Sequence, residues 1–439
     1  MFKRIINITI WTLIGLYTAI IILLHIPSIQ TYIGGCVADA LCDKFGTKVK
    51  VGRVDLGFIN RLILDDSYMQ DKNGEQMLRV SRISVKINLL ALANGQIEIT
   101  SAQFFGLHAN LYKATPEAKP NFQFVIDALA SKDSTKQKTP LDLQINSLII
   151  RNGEISYRVL SRPSRPGKFS ADDINARNIS AHIIINRITD DSLNVKVKRI
   201  AFDERCGFKL KSLSLSAIAC RTKTKIENFK LELPATLIQI PSLQASYRMK
   251  NGQIEMPTLQ FDGSIKAPYI SPSDLAVFVP TLTRLNMRPA LDIQFNGTGS
   301  SLTVNKISIN TTDGSLQLVA NGGVKNYPAN PSWYTNIDQL KAGQQAISNI
   351  YAVATGKNVP NIIERLGNVQ ITGYVGGDKK NIASEGKLNT SPGNLTLAFD
   401  KRGDKITAHM ETVRFNIGSL VNDNKLGHIS ANLNVHGSS

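Results

Sequence analysis

The sequence predicts a mainly β protein in which a long antiparallel sheet follows one N-terminal membrane helix. From about residue 47 to the end, the chain consists of short segments in which apolar and polar residues alternate, and one long apolar segment precedes them. A period of two places every apolar residue of a strand on the same face of the sheet. These apolar faces must meet a second sheet, helices or an acyl chain, and the alternation does not choose among the three.

The membrane anchor is predicted at residues 5–26, which leaves residues 1–4 in the cytoplasm. The segment holds no Asp, Glu, Lys or Arg, and at about 1.5 Å per residue it can cross about 30 Å of hydrocarbon. Because Lys3 and Arg4 precede it, the positive-inside tendency sends everything after Pro27 across the membrane. The residues assigned to this membrane anchor are Ile5, Trp11, Leu16, Ile22 and Ile26.

A cleaved signal peptide and a lipoprotein signal are the alternatives to this anchor. The apolar run is longer than an ordinary signal-peptide core, and no Ala-x-Ala site follows it. A weak lipoprotein cleavage box ends at Cys36, but it lies too far beyond Ile26. Instead, residues 27–46 predict an amphipathic helix that caps the first end of the sheet. Its apolar stripe consists of Ile29, Tyr32, Ile33, Cys36, Val37, Ala40, Leu41 and Phe45.

Residues 47–439 are predicted to form one elongated β domain beyond the membrane. Glycine turns join alternating strands into successive antiparallel hairpins, and the clearest turn signals are Asp313-Gly314 and Arg402-Gly403-Asp404. The residues from 337 onwards predict two helices divided near Gly356–Pro360. In all, helices are predicted to interrupt the sheet near residues 121–131, 273–279 and 337–366.

The chain is strongly basic, with 51 Lys and Arg against 34 Asp and Glu and a net charge of +17. Most of these cations occupy the polar half of the strand alternation, as at Lys196 and Lys198, which favours a solvated face. The functional alternative is that some of them hold lipid phosphates or lie against an anionic membrane. Nucleic acid is not an expected partner, because the chain has a membrane anchor and lacks a basic helix or an aromatic stacking motif.

Four cysteines in 439 residues do not form a disulfide scaffold. Cys36 and Cys42 lie six residues apart on a predicted helix and therefore point in different directions. Cys206 and Cys220 flank an alternating segment, and they could meet across neighbouring strands in an oxidising compartment.

No pattern in the sequence points to catalysis, a metal or a cofactor. The six histidines lack metal-ligand spacing, and the chain has neither a nucleophile elbow nor a phosphate-binding loop. Asp65-Asp66 and Asp172-Asp173 are adjacent pairs, and neighbouring strand residues face opposite sides of a sheet. We therefore expect a protein that is not an enzyme.

The segment Val51–Tyr112 resembles the N-terminal region of the TamB proteins, within the wider AsmA-like family, in the form seen in Bacteroidota. The resemblance begins with a basic strand after the anchor helix. Two turns follow, at Leu64-Asp65-Asp66 and Asp71-Lys72-Asn73-Gly74, and then the apolar segment Leu89-Leu90-Ala91-Leu92. The last feature is the strand that begins at Ile97-Glu98-Ile99 and closes in Leu111-Tyr112. The likeness continues in order through Asn121–Leu129, Ile149–Tyr157, Ala201–Phe208 and Ser271–Pro280. It covers most of the chain, but its motifs are patterns of strand and turn.

The resemblance implies a single-pass inner-membrane protein whose bulk lies in the periplasm. It implies an elongated, twisted antiparallel sheet, curved into an open apolar trough, that conducts phospholipids between the inner and outer membranes. It also implies an alternative role, as a scaffold for outer-membrane protein assembly or secretion with a TamA-like β-barrel partner. TamB proteins are much longer, and this chain stops at Ser439 directly after a strand pattern. We therefore expect either a truncated reading frame or a short AsmA-like relative.

An apolar trough explains how a lipid could move without exposing its tails to water. Each exposed CH₂ costs about 0.8 kcal/mol, so two tails of about 16 carbons would face about 25 kcal/mol. A β-bulge would reverse the face assignment locally, and packing against a second sheet or helices is the alternative role for the apolar residues. The predicted lining residues are Ile83, Val85, Ile87, Ile97, Ile99, Leu193, Val195 and Val197.

Overall fold

The structure is a computed structural model with side chains, and it divides into two compact units. It describes residues 7, 9–12, 14–16, 18–19, 22, 26–57, 60–88, 97–130, 141–164, 167–189, 192–250 and 252–438. Unit 1 comprises Met1–Arg187 and Val195–Leu210, and unit 2 comprises Ile188–Asn194 and Lys211–Ser439. The fold is mainly β, and 21 of its strands belong to one mixed sheet.

Within the residues that the structure describes, unit 1 holds six complete strands and most of two more, together with the helices α1 (Pro27–Phe45) and α2 (Gln123–Ala130). The strands are β1 (Val49–Lys50), β2 (Arg53–Gly57), β3 (Arg61–Gln70), β4 (Gln76–Ile87), β5 (Ile97–Lys113), β6 (Leu141–Val159), β7 (Asp173–Thr189) and β8 (Ser192–Glu204).

Unit 2 holds most of β9, all later strands and four short helices. The helices are α3 (Pro272–Leu275), α4 (Gln344–Thr355), α5 (Asn361–Glu364) and α6 (Ile417–Val421), with 3₁₀ helices at Met256–Thr258 and Pro280–Arg284. The first strands are β9 (Lys209–Cys220), β10 (Lys223–Glu232), β11 (Leu237–Ser246), β12 (Met249–Lys250), β13 (Gln253–Ile254), β14 (Gln260–Tyr269), β15 (Pro289–Thr298) and β16 (Ser301–Thr311). The last strands are β17 (Leu316–Lys325), β18 (Ser332–Ala342), β19 (Val369–Gly377), β20 (Asn381–Asn389), β21 (Asn394–Arg402), β22 (Lys405–Asn416) and β23 (His428–Ser438).

The sheet is mixed, which corrects the prediction of an antiparallel sheet. In unit 1, β1 and β2 both pair with β3, and β3, β4 and β5 pair in antiparallel succession. β5 and β6, however, run parallel. The connection from Lys113 to Leu141 contains α2 and is long enough for the crossover that parallel strands require. The prediction was based on hairpin turns, which join antiparallel strands and give no information about such a crossover.

The C-terminal half of α1 covers one end of the unit 1 sheet. Leu41, Cys42 and Phe45 pack with Phe124 and Val125 of α2 against three buried strand residues, Val49, Met69 and Met77. The N-terminal half of the predicted apolar stripe is not packed against the sheet in the same way, because Cys36 is exposed and Tyr32 is 74% exposed. In this half of α1, Gly34 lies close to β2, because a Cβ at this position would lie 3.3 Å from the side chain of Val54.

A buried carboxylate ties the β3–β4 turn of unit 1 to β5 and to the segment before α2. Asp71 accepts hydrogen bonds from the Tyr112 hydroxyl (2.7 Å), from Asn121 (3.3 Å) and from the backbone N–H of Asn73 and Glu75. Burial alone would raise the pKa of Asp71, but these hydrogen bonds lower it below its ordinary value. The neighbouring Lys72 ammonium donates to the carbonyls of Phe45 and Gly46 at the C-terminus of α1.

Unit 2 is built from antiparallel neighbours. β9, β10, β11 and β14 pair in that order, and β14–β23 follow one another strand by strand, while β12 and β13 form a separate two-stranded sheet. The hairpins predicted at Asp313-Gly314 and at Gly403 are confirmed, and both glycines have positive φ. Hydrogen bonds from Thr311 and Ser315 lower the pKa of Asp313 to about 2.

The helices of unit 2 differ from the prediction at residues 337–342. These residues complete β18, and the first helix begins at Gln344. A register shift in β18 lies between Ile337, which pairs with Ala320, and Leu340, which pairs with Leu318. The bulge places two apolar residues that are three positions apart on one face, and this spacing imitates a helix. Near residues 273–279 the structure has α3 and a 3₁₀ helix that begins at Pro280.

The predicted anchor lies partly outside the described residues. Ile5 is among the residues that the structure does not describe, while Trp11, Leu16, Ile22 and Ile26 are described and exposed. Within the part of the chain that the structure describes, no helix combines the length and the apolar character needed to cross a membrane.

The cysteines are free thiols. Cys206 lies in the turn before β9, and Cys220 is the last residue of that strand. The two are therefore separated by the length of β9, which at about 3.4 Å per residue far exceeds disulfide geometry. The sequence permitted a bridge between them only on neighbouring strands.

An apolar sheet face as the candidate functional site

Strands β14–β23 of unit 2 carry a continuous apolar face. Directly opposed residues of an antiparallel pair share a face of the sheet, so the strand register defines rows that cross all ten strands. The central row is Ile265, Ile293, Ile307, Ala320, Ile337, Gly373, Gly386, Leu397, Met410 and Leu433. We call this surface, together with the two rows that flank the central one, the apolar face.

The flanking rows are nearly as apolar as the central row. One consists of Ala267, Leu291, Ile309, Leu318, Leu340, Ile371, Leu388, Leu395, Thr412 and Ala431. The other consists of Gly263, Phe295, Val304, Gly322, Thr335, Val375, Ser384, Phe399, Ala408 and Val435. No Asp, Glu, Lys or Arg occurs in any of the three rows.

The opposite side of the same strands is polar. Lys306 on β16 pairs with Asp292 on β15 at 3.1 Å, and His409 on β22 contacts Asn434 on β23 at 2.7 Å. These side chains alternate with the apolar rows along each strand. The sheet therefore has one face suited to water and one suited to an apolar partner.

The apolar face is open to solvent on β21 and β23. Leu397 is 41% exposed and Leu433 is 50% exposed, and Phe399 beside Leu397 is exposed as well. These values show that no described part of the chain covers those side chains. A second layer of protein would have buried them, as in a β-sandwich. On β17, by contrast, Ala320 of the central row is buried.

One margin of the apolar face is covered by protein. Leu316 of β17 and Ala342 of β18 are buried together with Met287 and with Ala346 of α4, which is 1% exposed. Ile309 and Leu340 of the adjacent row pack against this cluster. The helices of unit 2 thus close a margin of the face on β17 and β18 and leave Leu397 and Leu433 exposed.

Two opposed glycines interrupt the central row. Gly373 of β19 pairs with Gly386 of β20, between Ile337 and Leu397. A Cβ at Gly373 would lie 2.4 Å from the carbonyl oxygen of Glu385 and 2.7 Å from the Cα of Gly386. The two strands therefore have no room for a side chain here, and the apolar face has a notch at its centre.

The lining residues predicted in unit 1 lie on a different part of the chain. Ile83, Val85 and Ile99 belong to one cluster with Leu62, Ala102, Phe104 and Leu148. Val85 is only 5% exposed, so it packs within protein, while Ile83 and Ile99 are half-buried. The side chains of Ile87 and Ile97 lie outside those that the structure describes.

The remaining predicted lining residues lie on β8. Leu193 belongs to unit 2 and is 37% exposed, and Val195 and Val197 belong to unit 1 and are half-buried. A lining role for all eight predicted residues stays a prediction. None of the eight predicted lining residues belongs to the apolar face, although Leu395, Leu397 and Phe399 show the same strand alternation.

Three of the carboxylates in the acidic pairs of the sequence bind basic or hydroxyl side chains. Asp65 is bound by Arg82 at 2.7 Å, Asp172 by Arg162, and Asp173 by Arg205 at 2.7 Å and by Ser164. Hydrogen bonds from Ser164 and Arg205 lower the pKa of Asp173. Among the described residues, no cluster of three or more His, Cys, Asp or Glu side chains could hold a metal ion.

The apolar face crosses ten strands, and its chemistry suits hydrocarbon. Apolar contact there gains about 25 cal/mol per Å² removed from water and requires no specific polar pocket. The arrangement can therefore take up flexible apolar chains without selecting a head group. No family model, no curated protein and no solved structure matches this chain.

Proposed function

We propose that this protein binds phospholipid acyl chains along the apolar face and moves phospholipids between the inner and outer membranes. The observation that carries the proposal is the set of three rows without charged residues that cross ten strands and include solvent-exposed apolar side chains on β21 and β23. Ten strands at about 4.8 Å spacing give a path of about 43 Å. A path of this length is longer than a pocket for one small ligand.

The free energy of hydrocarbon in water explains why such a face is useful. Exposing two tails of about 16 carbons costs about 25 kcal/mol, at about 0.8 kcal/mol per CH₂. Sliding along a continuous apolar face keeps one side of each tail out of water throughout, which lowers the barrier to transfer. The head group remains in solvent at the open side, so lipids with different head groups can follow the same path.

The proposal also includes where the protein lies in the cell and the shape of its sheet. The charge-free segment 5–26 after Lys3 and Arg4 supports a single-pass inner-membrane anchor with the remainder of the chain in the periplasm. The resemblance to TamB and AsmA-like proteins supports the same placement and an elongated sheet curved into an open trough. The covered margin at α4 supports a trough with one protein wall.

Photo-crosslinking of the full chain in membranes tests the proposal. A benzophenone amino acid replaces Phe399 on the apolar face, and in the matched control it replaces Ala398, the next residue of β21 on the polar face. We expect phospholipid adducts from position 399 and a much smaller yield from position 398. Equal yields, or no lipid adduct at either position, would overturn the proposal.

A second candidate function is a scaffold for outer-membrane protein assembly with a TamA-like β-barrel. The resemblance to TamB proteins supports it, because that resemblance also implies a β-barrel partner. Such a scaffold would act by adding a strand of the partner protein to an open edge of the sheet. Crosslinks from β23 to a barrel protein in intact cells would support this role, and their absence would count against it.

A further inference from the structure

A tryptophan and a lysine lie in one row beside the apolar face. Trp333, Gly377, Ile382 and Lys401 are directly opposed in turn on β18, β19, β20 and β21, in the row next to Phe399. Directly opposed residues share a face, so Lys401 emerges on the same side of the sheet as the apolar rows. We call this row of four residues the open margin, because Trp333 and Ile382 are each 37% exposed.

The ammonium group of Lys401 has no anionic partner in the part of the chain that the structure describes. Its directly opposed neighbours are Ile382 and Ile406, and the residue is half-buried. The preceding Asp400 lies on the polar face and binds Arg402 at 3.0 Å. A lysine in such a place lays its apolar stem along hydrocarbon and keeps its charge in water. An uncompensated cation beside an apolar surface is complementary to an anion that is attached to hydrocarbon.

The width of the apolar face along its strands matches one leaflet of a membrane. On β21, Leu395 and Phe399 are four residues apart, which gives about 14 Å at about 3.4 Å per residue. Half of a hydrocarbon core of about 30 Å is about 15 Å. Lys401 follows about 7 Å beyond Phe399, where the head groups begin in a leaflet.

The two margins of the apolar face differ in a way that gives a bound lipid one orientation. At the margin opposite Trp333 and Lys401, Met287 and Ala346 of α4 close the face on β17 and β18 with apolar side chains. At the open margin, tryptophan and lysine are the residue types that mark the boundary between hydrocarbon and head groups in membranes. A charged head group therefore finds water and a cation at the open margin only.

We propose that Lys401 binds the phosphate group of a phospholipid whose acyl chains lie along the strands, with their methyl ends toward the margin at which α4 packs. This inference rests on the proposed function and adds the phosphate site and the orientation of the lipid. A lysine ammonium is a point charge that pairs with phosphate without a fixed geometry, so the contact can form and break as a lipid passes from strand to strand. All phospholipids carry the phosphate, so the site separates them from uncharged diacylglycerols.

Photoreactive lipids test the orientation. Phosphatidylcholine that carries a diazirine, either on its head group or at the methyl end of one acyl chain, is added to the full chain in a mild detergent. Mass spectrometry of the peptides should find head-group adducts around the turns 378–380 and 403–404, and methyl-end adducts around the turn 390–393, at the other end of β20 and β21. The same distribution for both probes overturns the orientation alone. The absence of any adduct overturns the proposed function as well.

Vesicle transfer of two lipids with identical acyl chains tests the phosphate site. For Lys401→Gln we expect phosphatidylcholine transfer by the full chain to fall about tenfold, since a charge-assisted contact is lost, and diacylglycerol transfer to stay unchanged. Lys401→Arg should transfer phosphatidylcholine nearly as well as the wild type. The matched control is Lys387→Gln on the polar face of β20, which pairs with Thr396 and should transfer both lipids normally.

The contrary outcomes separate the site from the proposed function. If Lys401→Gln slows both lipids equally while keeping its β-sheet circular dichroism, or if Lys387→Gln has the same effect on phosphatidylcholine, Lys401 is not the phosphate site. If the wild type transfers both lipids equally fast and Lys401→Gln changes neither, the phosphate site fails and the lipid path remains. If the wild type transfers neither lipid, the proposed function itself fails.

Discussion

At the residue scale, the carboxylate of Asp71 shows how one short side chain joins separate segments of unit 1. It is 2% exposed, and it accepts hydrogen bonds from β5, from the segment before α2 and from its own turn. A buried charge is tolerated only when it is fully hydrogen-bonded. Here the donors stabilise the ionised form more than burial destabilises it, because the pKa is lowered.

Replacing Asp71 with asparagine should therefore destabilise unit 1 in a pH-dependent way. Because the folded pKa lies below the unfolded value, the ionised group contributes stability above about pH 4, and this contribution is lost as pH falls through the folded pKa. We expect a loss of about 2 kcal/mol at pH 7 and a smaller one at pH 3, measured by urea unfolding. Tyr112→Phe, which removes a single donor, should cost about 1 kcal/mol at pH 7. An equal effect of Asp71→Asn at both pH values would contradict this explanation.

Exposure also decides which apolar residue can report on lipid transfer. Val85 is buried, so a charge there leaves an unpaired ion inside protein and should unfold unit 1. Leu397→Asp places its charge at a solvent-exposed position, and we expect a folded protein with reduced lipid transfer between vesicles. Thr396→Asp, on the polar face of the same strand, is the matched control and should transfer lipid at the wild-type rate. Equal transfer by the two variants would argue against a path across the apolar face.

At the scale of elements, bulges and close strand contacts shape the apolar face. The bulge in β18 keeps Ile337 and Leu340 on the same side of the sheet despite their odd spacing. The glycine pair in β19 and β20 allows an approach that no side chain permits. Strand alternation therefore produces a continuous face only with these local corrections.

The contact at Gly373 gives a prediction about stability. Gly373→Ala should lower the free energy of unfolding of unit 2 by about 1–3 kcal/mol, because the new methyl group would meet the backbone of β20. Gly427→Ala is the control, since a Cβ there has no heavy atom within 4 Å, and its effect should stay within about 0.5 kcal/mol. Chemical denaturation of both variants provides the comparison. Equal stability would show that β19 and β20 can separate at no cost.

At the scale of the whole molecule, the chain has only two tryptophans, and one lies beside the apolar face on the same side of the sheet. Trp333 pairs with Val324 on β17 and with Gly377 on β19, in the row next to Phe399, and it is partly exposed. A Trp11→Phe variant therefore carries a single fluorophore beside the proposed lipid path. Tyr334, the next residue of β18, lies on the polar face and offers a matched position.

Quenching by brominated phospholipid should separate the two positions. In the Trp11→Phe chain we expect Trp333 fluorescence to fall when phospholipid brominated in its acyl chains is added. In a Trp11→Phe, Trp333→Phe, Tyr334→Trp chain, the fluorescence should change much less, because that tryptophan faces water. Equal quenching of the two tryptophans would indicate non-specific adsorption of lipid.

The alternation predicted a mainly β chain, and the turn signals at Gly314 and Gly403 predicted their hairpins, because both depend on neighbouring residues. Residues 337–342 were wrongly predicted to be helical, because a bulge gives this part of β18 a helical spacing. The pairing of β5 with β6 was also missed, since it depends on a crossover rather than on a turn.

The sequence by itself determined which residues of each strand share a face, because backbone geometry fixes the alternation of side chains. It also determined the charge-free segment at the N-terminus and the absence of charge from β23. Only the tertiary structure decided which apolar faces are covered: Val85 is buried within its cluster, whereas Leu397 stays open to solvent. Burial depends on segments distant in sequence, such as α4 against β17 and β18, and no local pattern encodes where those segments pack.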